Sequence, residues 1–171
     1  PLYEFPVTPS ALILGGGSAG MTAALNLADQ GFKVHLAEKE SALGGVARNA
    51  PATPEWAGAR ALIAQVQSNP KISICLNADL IRTSGQVGAF ASILNVDGKE
   101  MPVEHGVVIV ATGQSSATEN ARLARILRCA LTADGCFQPA HSKLRPVDLS
   151  NEGQFMCGLA HGPCTLEETI A

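Results

Sequence analysis

A glycine-rich loop near the start of the chain constrains the fold more than any other feature. Gly15, Gly17 and Gly20 directly follow the apolar run 11–14 and precede the apolar stretch 21–28. This order predicts a strand, a tight turn and a helix. In a G-x-G-x-x-G loop the first glycine makes the turn, the second lets a pyrophosphate approach the backbone, and the third lets the helix pack closely on the strand. The loop therefore predicts a dinucleotide-binding βαβ unit.

An acidic residue at the end of the second predicted strand narrows the choice of dinucleotide. The strand 33–37 ends at Glu38, 18 residues after Gly20. A carboxylate here can accept hydrogen bonds from both ribose hydroxyls, and it would repel a 2′-phosphate. The helix N-terminus at Ser18 and Ala19 offers unpaired N–H groups and a partial positive charge to the pyrophosphate. These features favour NAD or FAD over NADP.

The rest of the chain has the apolar patterns of a mixed α/β domain. Short strand-like runs between 80 and 103, with Asp97-Gly98 as a hairpin turn, predict a small antiparallel meander. The remaining patterns predict a helix at 57–68, a strand at 72–76, a strand at 106–113, a helix at 120–130, a strand at 153–158 and a last helix from about Thr165. Parallel βαβ units are the default for such an order. We therefore expect an α/β, three-layer Rossmann-like fold with a small antiparallel β-meander.

Composition argues against several classes of function. Only 4% of the residues are aromatic and the net charge is −3, which argues against a nucleic-acid partner. No run of about 18 apolar residues occurs, so we expect no direct insertion into a membrane. The five cysteines form no C-x-x-C pair, which gives no sign of a redox dithiol or a metal site. We expect reduced, structural thiols and a cytoplasmic protein.

Two later segments resemble the FAD domain of flavoproteins that have two dinucleotide-binding domains. One runs from Lys39 to Gly44-Gly45 and Arg48, and the other is Ala111-Thr112-Gly113 after a buried strand. In those flavoproteins the double glycine runs along the diphosphate, and the A-T-G turn lies near the adenosine. The resemblance implies FAD rather than NAD. The candidate cofactor-binding residues are then Gly15, Gly17, Ser18, Ala19, Gly20, Glu38, Lys39, Gly44, Gly45, Arg48, Ala111, Thr112, Gly113, Gly158, Leu159 and Ala160.

A narrower resemblance covers most of the chain. It is carried by 11–25 with 38–45, by the G-x-x-G-x-F segment 85–90, by the H-x-K-L-R-P-V segment 141–147, and by 153–163. These segments resemble the A subunit of heterodisulfide reductase and its relatives, which include subunits of the quinone-interacting oxidoreductase complex of sulfate reducers. The resemblance implies an FAD-binding electron-transfer component of a multisubunit oxidoreductase, with iron-sulfur proteins as partner subunits.

The chain departs from that family in its length and cysteines. Relatives usually carry iron-sulfur cysteines and often a further domain after the A-T-G turn. Here only the 39 residues 114–152 separate Gly113 from Gly153, too few for a second βαβ domain, and cluster cysteines are absent. We therefore expect residues 1–171 to form a single FAD-binding domain that lacks the second nucleotide-binding domain and the iron-sulfur segments of larger relatives.

The tail also departs from flavoproteins in general. Many of them place an aspartate directly after the glycine equivalent to Gly158, where it binds the ribityl chain, but this chain has Leu159. Backbone N–H groups around Leu159 and Ala160 remain able to contact ribityl or pyrophosphate oxygens.

No residue can be assigned as a catalytic acid, base or nucleophile. This is typical of an electron-transfer flavin, because the isoalloxazine performs the chemistry and the protein tunes it. Lys143, His141 and His161 are the tuning candidates, although each has the alternative of being a solvated or capping loop residue. Two other functions stay open: a stand-alone thioredoxin-reductase-like enzyme that uses a pyridine nucleotide, and a dinucleotide-binding module without turnover.

Overall fold

The structure is a computed structural model that describes residues 6–49 and 53–162. Its elements in chain order are β1 Ser10–Leu14, α1 Ser18–Asp29, β2 Lys33–Ala37, α2 Pro54–Ser68, β3 Ile72–Cys75, β4 Ala78–Gln86, β5 Ala89–Val96, β6 Lys99–His105, β7 Val107–Val110, α3 Ala117–Leu127 and β8 Gln154–Met156. Short 3-10 turns lie at Gly45–Asn49 and Gly158–Ala160. The helix expected from about Thr165 lies outside the described residues.

In the part of the chain that the structure describes, five strands form a parallel sheet in the order β3-β2-β1-β7-β8. β1 is central, and its Leu14 lies opposite Ala37 of β2 on one side and Val110 of β7 on the other. The carboxyl ends of these strands therefore share one edge of the sheet. In open α/β sheets that edge is where ligands bind.

The two faces of this sheet bury separate apolar cores. Leu12 and Leu14 of β1 belong to a core shared with the meander and α3, which includes Leu94. Ile13, which points the opposite way, belongs to a core shared with α1 and α2, which includes Met21. Because successive side chains of a strand alternate between faces, one apolar run serves both cores. The predicted three-layer α/β architecture is confirmed.

The meander is a three-stranded antiparallel sheet in the order β4-β5-β6. Its second hairpin turns at Asp97 and Gly98, whose φ angles are +50° and +82°. Positive φ at both central residues is the type I′ turn, whose twist matches that of paired strands. The meander and its hairpin turn were both predicted correctly from the sequence.

α3 lies three residues earlier than the predicted helix 120–130. Ser116 caps its start, accepting a hydrogen bond from the backbone N–H of Glu119 at 3.3 Å. The spacing of Ser116 and Glu119 is that of a capping box, which the apolar periodicity alone did not register. Arg128 ends the helix in the left-handed region, with φ +56°.

α2 also begins earlier than predicted, at Pro54 rather than at residue 57. The Thr53 side chain accepts a hydrogen bond from the N–H of Trp56, and proline suits the first helical position.

The predicted strands 106–113 and 153–158 are shorter than expected. Gly113 and Gly158, with φ +67° and +61°, turn the chain away from the sheet at its carboxyl edge.

A histidine is fully buried between the meander and the main sheet. His105 stacks on Phe90 with ring centroids 5.6 Å apart, and its Nε2 lies 2.8 Å from the Ser92 hydroxyl. Its Nδ1 lies 3.0 Å from the carbonyl oxygen of Val107, which can only accept, so the neutral ring carries its proton on Nδ1. Burial lowers the pKa of His105 to about 4. The ring is therefore neutral in the folded protein at neutral pH.

This pKa predicts an acid-dependent loss of stability. Between pH 6.5 and 4 the unfolded chain binds a proton at this position and the folded chain does not, so the free energy of unfolding falls as the pH falls. The full window corresponds to roughly 3 kcal/mol. Urea unfolding between pH 7 and 4 should show a steeper fall of the unfolding free energy in the parent than in His105→Gln, which keeps the contribution of His35, whose pKa is also lowered by burial. Equal slopes for the two proteins would contradict the assignment.

Candidate dinucleotide site

Four loops meet at the carboxyl edge of the parallel sheet. The N–H of Gly15 donates to the carbonyl of Ala37, and the N–H of Ala111 donates to that of Leu14, both at 2.8 Å. The N–H of Cys157 donates to the carbonyl of Val110 at 2.9 Å. The glycine loop, the end of β2, the A-T-G turn and the turn after β8 therefore lie next to one another.

Two glycines of the first loop allow close backbone contacts. Gly15 has φ +113°, and a Cβ placed there would lie 2.2 Å from the carbonyl oxygen of Ala111. A Cβ on Gly20 would lie 2.0 Å from the carbonyl oxygen of Gly15. Neither approach leaves room for a side chain, so α1 can start against β1 and β7 only with glycine at both positions.

The third glycine has open space beside it. Gly17 precedes the first residue of α1, has an ordinary φ of −77° and makes no side-chain cap for the helix. A Cβ added to it would meet nothing closer than the Cα of Gly45, 4.0 Å away. The N–H of Gly44 donates to the carbonyl of Gly16 at 2.8 Å. The double glycine thus lies against the glycine loop. Beside it, the first N–H groups of α1 have no side-chain cap, so they are available to hydrogen-bond an anion.

Glu38 is held behind this loop with both carboxylate oxygens engaged. It is only 7% exposed. Oε2 accepts the N–H of Gly16 at 2.6 Å, and Oε1 accepts the N–H of Glu40 at 2.8 Å. A carboxylate oxygen has two lone pairs, so each retains capacity for a second donor. The contact with Gly16 was not foreseen from the sequence, because the G-x-G-x-x-G pattern leaves that position unspecified.

Lys39 belongs to a chain of charges that joins β2 to α3. Its Nζ lies 3.1 Å from Oε2 of Glu119, whose Oε1 lies 2.9 Å from Arg122. Arg122 also pairs with Asp79 and donates to the carbonyl of Leu80 at 2.9 Å. The hydrogen bond from Arg122 lowers the pKa of Glu119, and the bond from Lys39 adds to that effect. No local pattern in the sequence gave a sign of this network, because its members lie on β4, α3 and the loop after β2.

The A-T-G turn brings a buried hydroxyl to the same edge. Among the described residues, Oγ1 of Thr112 is buried and has no hydrogen-bond partner. The backbone carbonyl of Thr112 accepts from Ser115, and Gly113 turns away with positive φ. The side chain of Arg48 lies next to Gly44 of the double glycine, and its guanidinium donates to the carbonyl of Ala42 at 3.1 Å. The unpaired hydroxyl and the open space beside Gly17 both fit a polar ligand at this edge.

The turn after β8 completes the edge. Gly158–Ala160 forms a 3-10 turn, and the carbonyl of Ala160 accepts from the N–H of Phe137 at 3.1 Å. Burial raises the pKa of Cys157 to about 11, so this thiol is protonated at neutral pH. Cys157 therefore has little thiolate character at neutral pH, as is typical of a buried structural thiol.

The tuning candidates lie on exposed loops near the end of β8. The Nδ1 of His141 accepts the N–H groups of Lys143 and Leu144, at 3.2 and 3.1 Å, and so caps a tight turn. The Lys143 side chain is exposed on that turn, and His161 is exposed after the 3-10 turn. The chain returns beside β8, where the N–H of Met156 donates to the carbonyl of residue 147 at 2.8 Å. The turn thus projects beyond the carboxyl end of β8.

Fold and loop geometry together define a Rossmann-type dinucleotide-binding domain. The sequence model of the pyridine nucleotide-disulphide oxidoreductase family matches residues 9–126, and the chain belongs to that family. The family is one of FAD-dependent oxidoreductases, so the predicted choice of FAD over NAD is confirmed at the level of the family.

Curated relatives include A subunits of heterodisulfide reductase, which confirms the resemblance seen in the sequence over about half of the chain. The chain is 44% identical over 95 residues to an iron-sulfur A subunit of the CoB–CoM heterodisulfide reductase of Methanopyrus kandleri, covering 53% of this chain and 14% of the relative. It is 39% identical over 89 residues to the corresponding protein of Methanocaldococcus jannaschii, covering 49% and 14%. The matched region is thus about one seventh of each relative.

Solved structures share the fold at low sequence identity. THI4 from Thermovibrio ammonificans superposes with a TM-score of 0.62 at 15% identity, covering 90% of this chain and 78% of that one. Thioredoxin reductase from T. acidophilum gives a TM-score of 0.51 at 23% identity, covering 63% and 36%. At these identities the likeness establishes the fold alone.

Two negative findings apply to residues 6–49 and 53–162. None of the helices in that part of the chain is long and apolar enough to cross a bilayer. No group of three or more His, Cys, Asp or Glu side chains there is placed to hold a metal ion.

The glycine geometry predicts that two alanine substitutions in the same loop differ in their effect on the free energy of unfolding. Gly20→Ala forces a Cβ against the Gly15 carbonyl and should lower the free energy of unfolding by roughly 2 to 3 kcal/mol. Gly17→Ala meets open space at an ordinary φ and should change it by less than about 0.5 kcal/mol. Urea unfolding of both variants measures the difference. Equal effects would show that the helix does not start where we place it.

Proposed function

We propose that the chain binds FAD across the carboxyl edge of its parallel sheet and acts as the flavin-carrying part of a multisubunit oxidoreductase of the heterodisulfide reductase type. The observation that carries the proposal is the pairing of an open, uncapped helix start at Gly17 with the anchored carboxylate of Glu38. The first suits a pyrophosphate and the second a ribose diol.

The ADP half would lie along the glycine loop. Gly15, Gly17, Ser18, Ala19 and Gly20 would give the pyrophosphate backbone N–H groups and close approach. Glu38 would accept from the ribose hydroxyls with its remaining lone pairs, and Thr112 would gain the partner that its buried hydroxyl lacks. The flanking residues would line the path of the cofactor: Lys39, Gly44, Gly45, Arg48, Ala111 and Gly113.

The flavin half would lie toward the turn after β8. Backbone groups of Gly158, Leu159 and Ala160 would face the ribityl chain or pyrophosphate, as their place beside β7 and the A-T-G turn supports. Bound FAD would supply the redox chemistry through its isoalloxazine ring. The role of the protein would then be to bind, orient and tune the cofactor. Lys143, His141 and His161 are the proposed tuning residues.

The names of the relatives support a proposal for the activity and partners of this chain. The relatives named above are A subunits of larger enzymes, and another, from Methanosarcina mazei, is named as part of a ferredoxin:CoB-CoM heterodisulfide reductase. We therefore propose iron-sulfur proteins as partner subunits and the cytoplasm as the location. We also propose that residues 1–171 form one domain. The thioredoxin-reductase-like alternative gains no support, since its C-x-x-C pair is missing from the sequence.

The first test measures the binding of FAD and changes the Glu38 carboxylate, which we propose accepts hydrogen bonds from the ribose. The protein reconstituted with FAD should absorb near 450 nm. Glu38→Gln should weaken FAD binding by roughly 10- to 150-fold, or about 1.5 to 3 kcal/mol, because it removes the charge that strengthens the ribose hydrogen bonds. Isothermal titration with FAD measures the change.

Glu40→Gln is the matched control. It makes the same charge change two residues away, on a side chain that is exposed. It should bind FAD as the parent does. A parent chain that binds no FAD would refute the proposed function, and a Glu38→Gln variant with parental affinity would refute the ribose assignment.

The second test concerns Lys143. If its amine lies close to the N1 edge of the flavin, it stabilises the anionic reduced form, so Lys143→Met should lower the two-electron potential by on the order of 30 mV, which corresponds to about 1.4 kcal/mol. Lys33→Met, at the opposite edge of the sheet, removes an exposed lysine far from the site and serves as the control. If the potential of Lys143→Met stays within a few millivolts of that of the parent, Lys143 is a solvated loop residue that does not tune the flavin.

A further inference from the structure

A second concave site lies at the amino-terminal edge of the parallel sheet, opposite the dinucleotide loops. It is a cavity of about 1060 Å³. It is bounded by the starts of β1, β7 and β8, by the hairpin between β4 and β5, and by the end of α3. We call it the amino-edge cavity. Its volume lies just above the usual range for small-molecule sites, which ends at about 1,000 Å³.

The mouth of the amino-edge cavity exposes large apolar side chains. Val7, Phe32 and Val87 line it and are 68%, 40% and 48% exposed. They come from three separate segments of the chain and converge on one opening. Scattered apolar residues on a surface need no explanation, but a group that converges on a cavity is typical of a ligand site.

A buried amide lines the same cavity without a hydrogen-bond partner for its oxygen. Gln154, the first residue of β8, is 3% exposed, and among the described residues its Oε1 has no partner. It lies opposite Val108 of β7, and the next residue on its face is Met156, so its neighbours on that face are apolar. A buried amide oxygen that gives up water without gaining a donor is unfavourable. A donor supplied by a ligand would remove that penalty.

The charges at the cavity balance, and part of its wall is braced. Arg128 and Glu152 both line it, and they carry opposite charges. The Asn151 amide donates to the carbonyls of Leu127 and Arg128, at 2.8 and 3.0 Å, which fixes the loop before β8 to the end of α3. Neither sign of charge dominates, which favours a neutral ligand over an anion or a cation.

We propose that the amino-edge cavity binds a neutral, largely apolar small molecule with a hydroxyl or N–H group, which donates a hydrogen bond to Oε1 of Gln154. The apolar mouth would hold the body of the molecule, and the amide would select for its donor. The cavity lies at the opposite end of the strands from the glycine loop, so this binding is independent of the dinucleotide site.

The test uses two probes that differ in one hydrogen-bond donor. 2-Naphthol is neutral and apolar and carries a hydroxyl, and 2-methoxynaphthalene has the same rings without the donor. Binding of each to the full chain is measured by probe fluorescence, with and without FAD. The parent should bind 2-naphthol at least about tenfold more tightly than the ether, because a site that hydrogen-bonds a hydroxyl discriminates against an analogue that lacks it.

Gln154→Leu removes the amide at nearly constant volume and should bind the two probes equally. Ile126→Trp, which adds bulk to the cavity wall, should weaken both probes. Circular dichroism and thermal unfolding establish that each variant is folded. Absence of 2-naphthol binding, equal binding of both probes by the parent, or an unchanged preference in Gln154→Leu would each overturn the proposal. Because the titrations are repeated without FAD, failure of the dinucleotide site would not produce any of these results.

Discussion

The contact between the start of α1 and the end of β1 is the constraint on which the rest of the structure depends. The helix begins where Gly20 faces the Gly15 carbonyl and Gly15 faces the Ala111 carbonyl, at distances that admit no side chain. This approach seats the helix on the sheet, and Gly17 at the N-cap has no side chain to cap the first N–H groups of the helix. Close packing and an uncapped helix N-terminus thus both follow from glycines in one loop: Gly15 and Gly20 allow the approach, and Gly17 leaves the first turn uncapped.

Charge is arranged around that contact in two different ways. Glu38 is fixed by backbone N–H groups and sits almost fully buried, whereas Lys39, the next residue, reaches across to Glu119 on α3. The first arrangement makes a rigid acceptor beside the glycine loop. The second joins the end of β2 to α3 through partly exposed ion pairs, which contribute little stability individually but hold the lysine toward α3. The opposite edge of the sheet, with its apolar cavity and buried amide, has none of this charge pattern.

Much of this architecture is readable from the sequence because local rules specify it. The glycine loop, the alternation of apolar runs and the Asp97-Gly98 turn each depend on residues close together in the chain. The errors fell at element ends. The early start of α3 followed from the Ser116 cap, and the strands before Gly113 and Gly158 ended where positive φ turned the chain aside. Caps and turns outweigh apolar periodicity at such boundaries.

The sequence by itself determined the βαβ unit, the meander and the family, because spacing along the chain carries that information. Only the tertiary structure decided which distant groups meet. It brought Gly16 into contact with Glu38, and Lys39 into contact with Glu119. It also left the hydroxyl of Thr112 and the amide oxygen of Gln154 buried without hydrogen-bond partners among the described residues. These contacts join separate strands and helices, and their geometry depends on sheet order and packing. No local pattern encodes that, since the residues involved are as far as 80 positions apart, as in the pair Lys39 and Glu119.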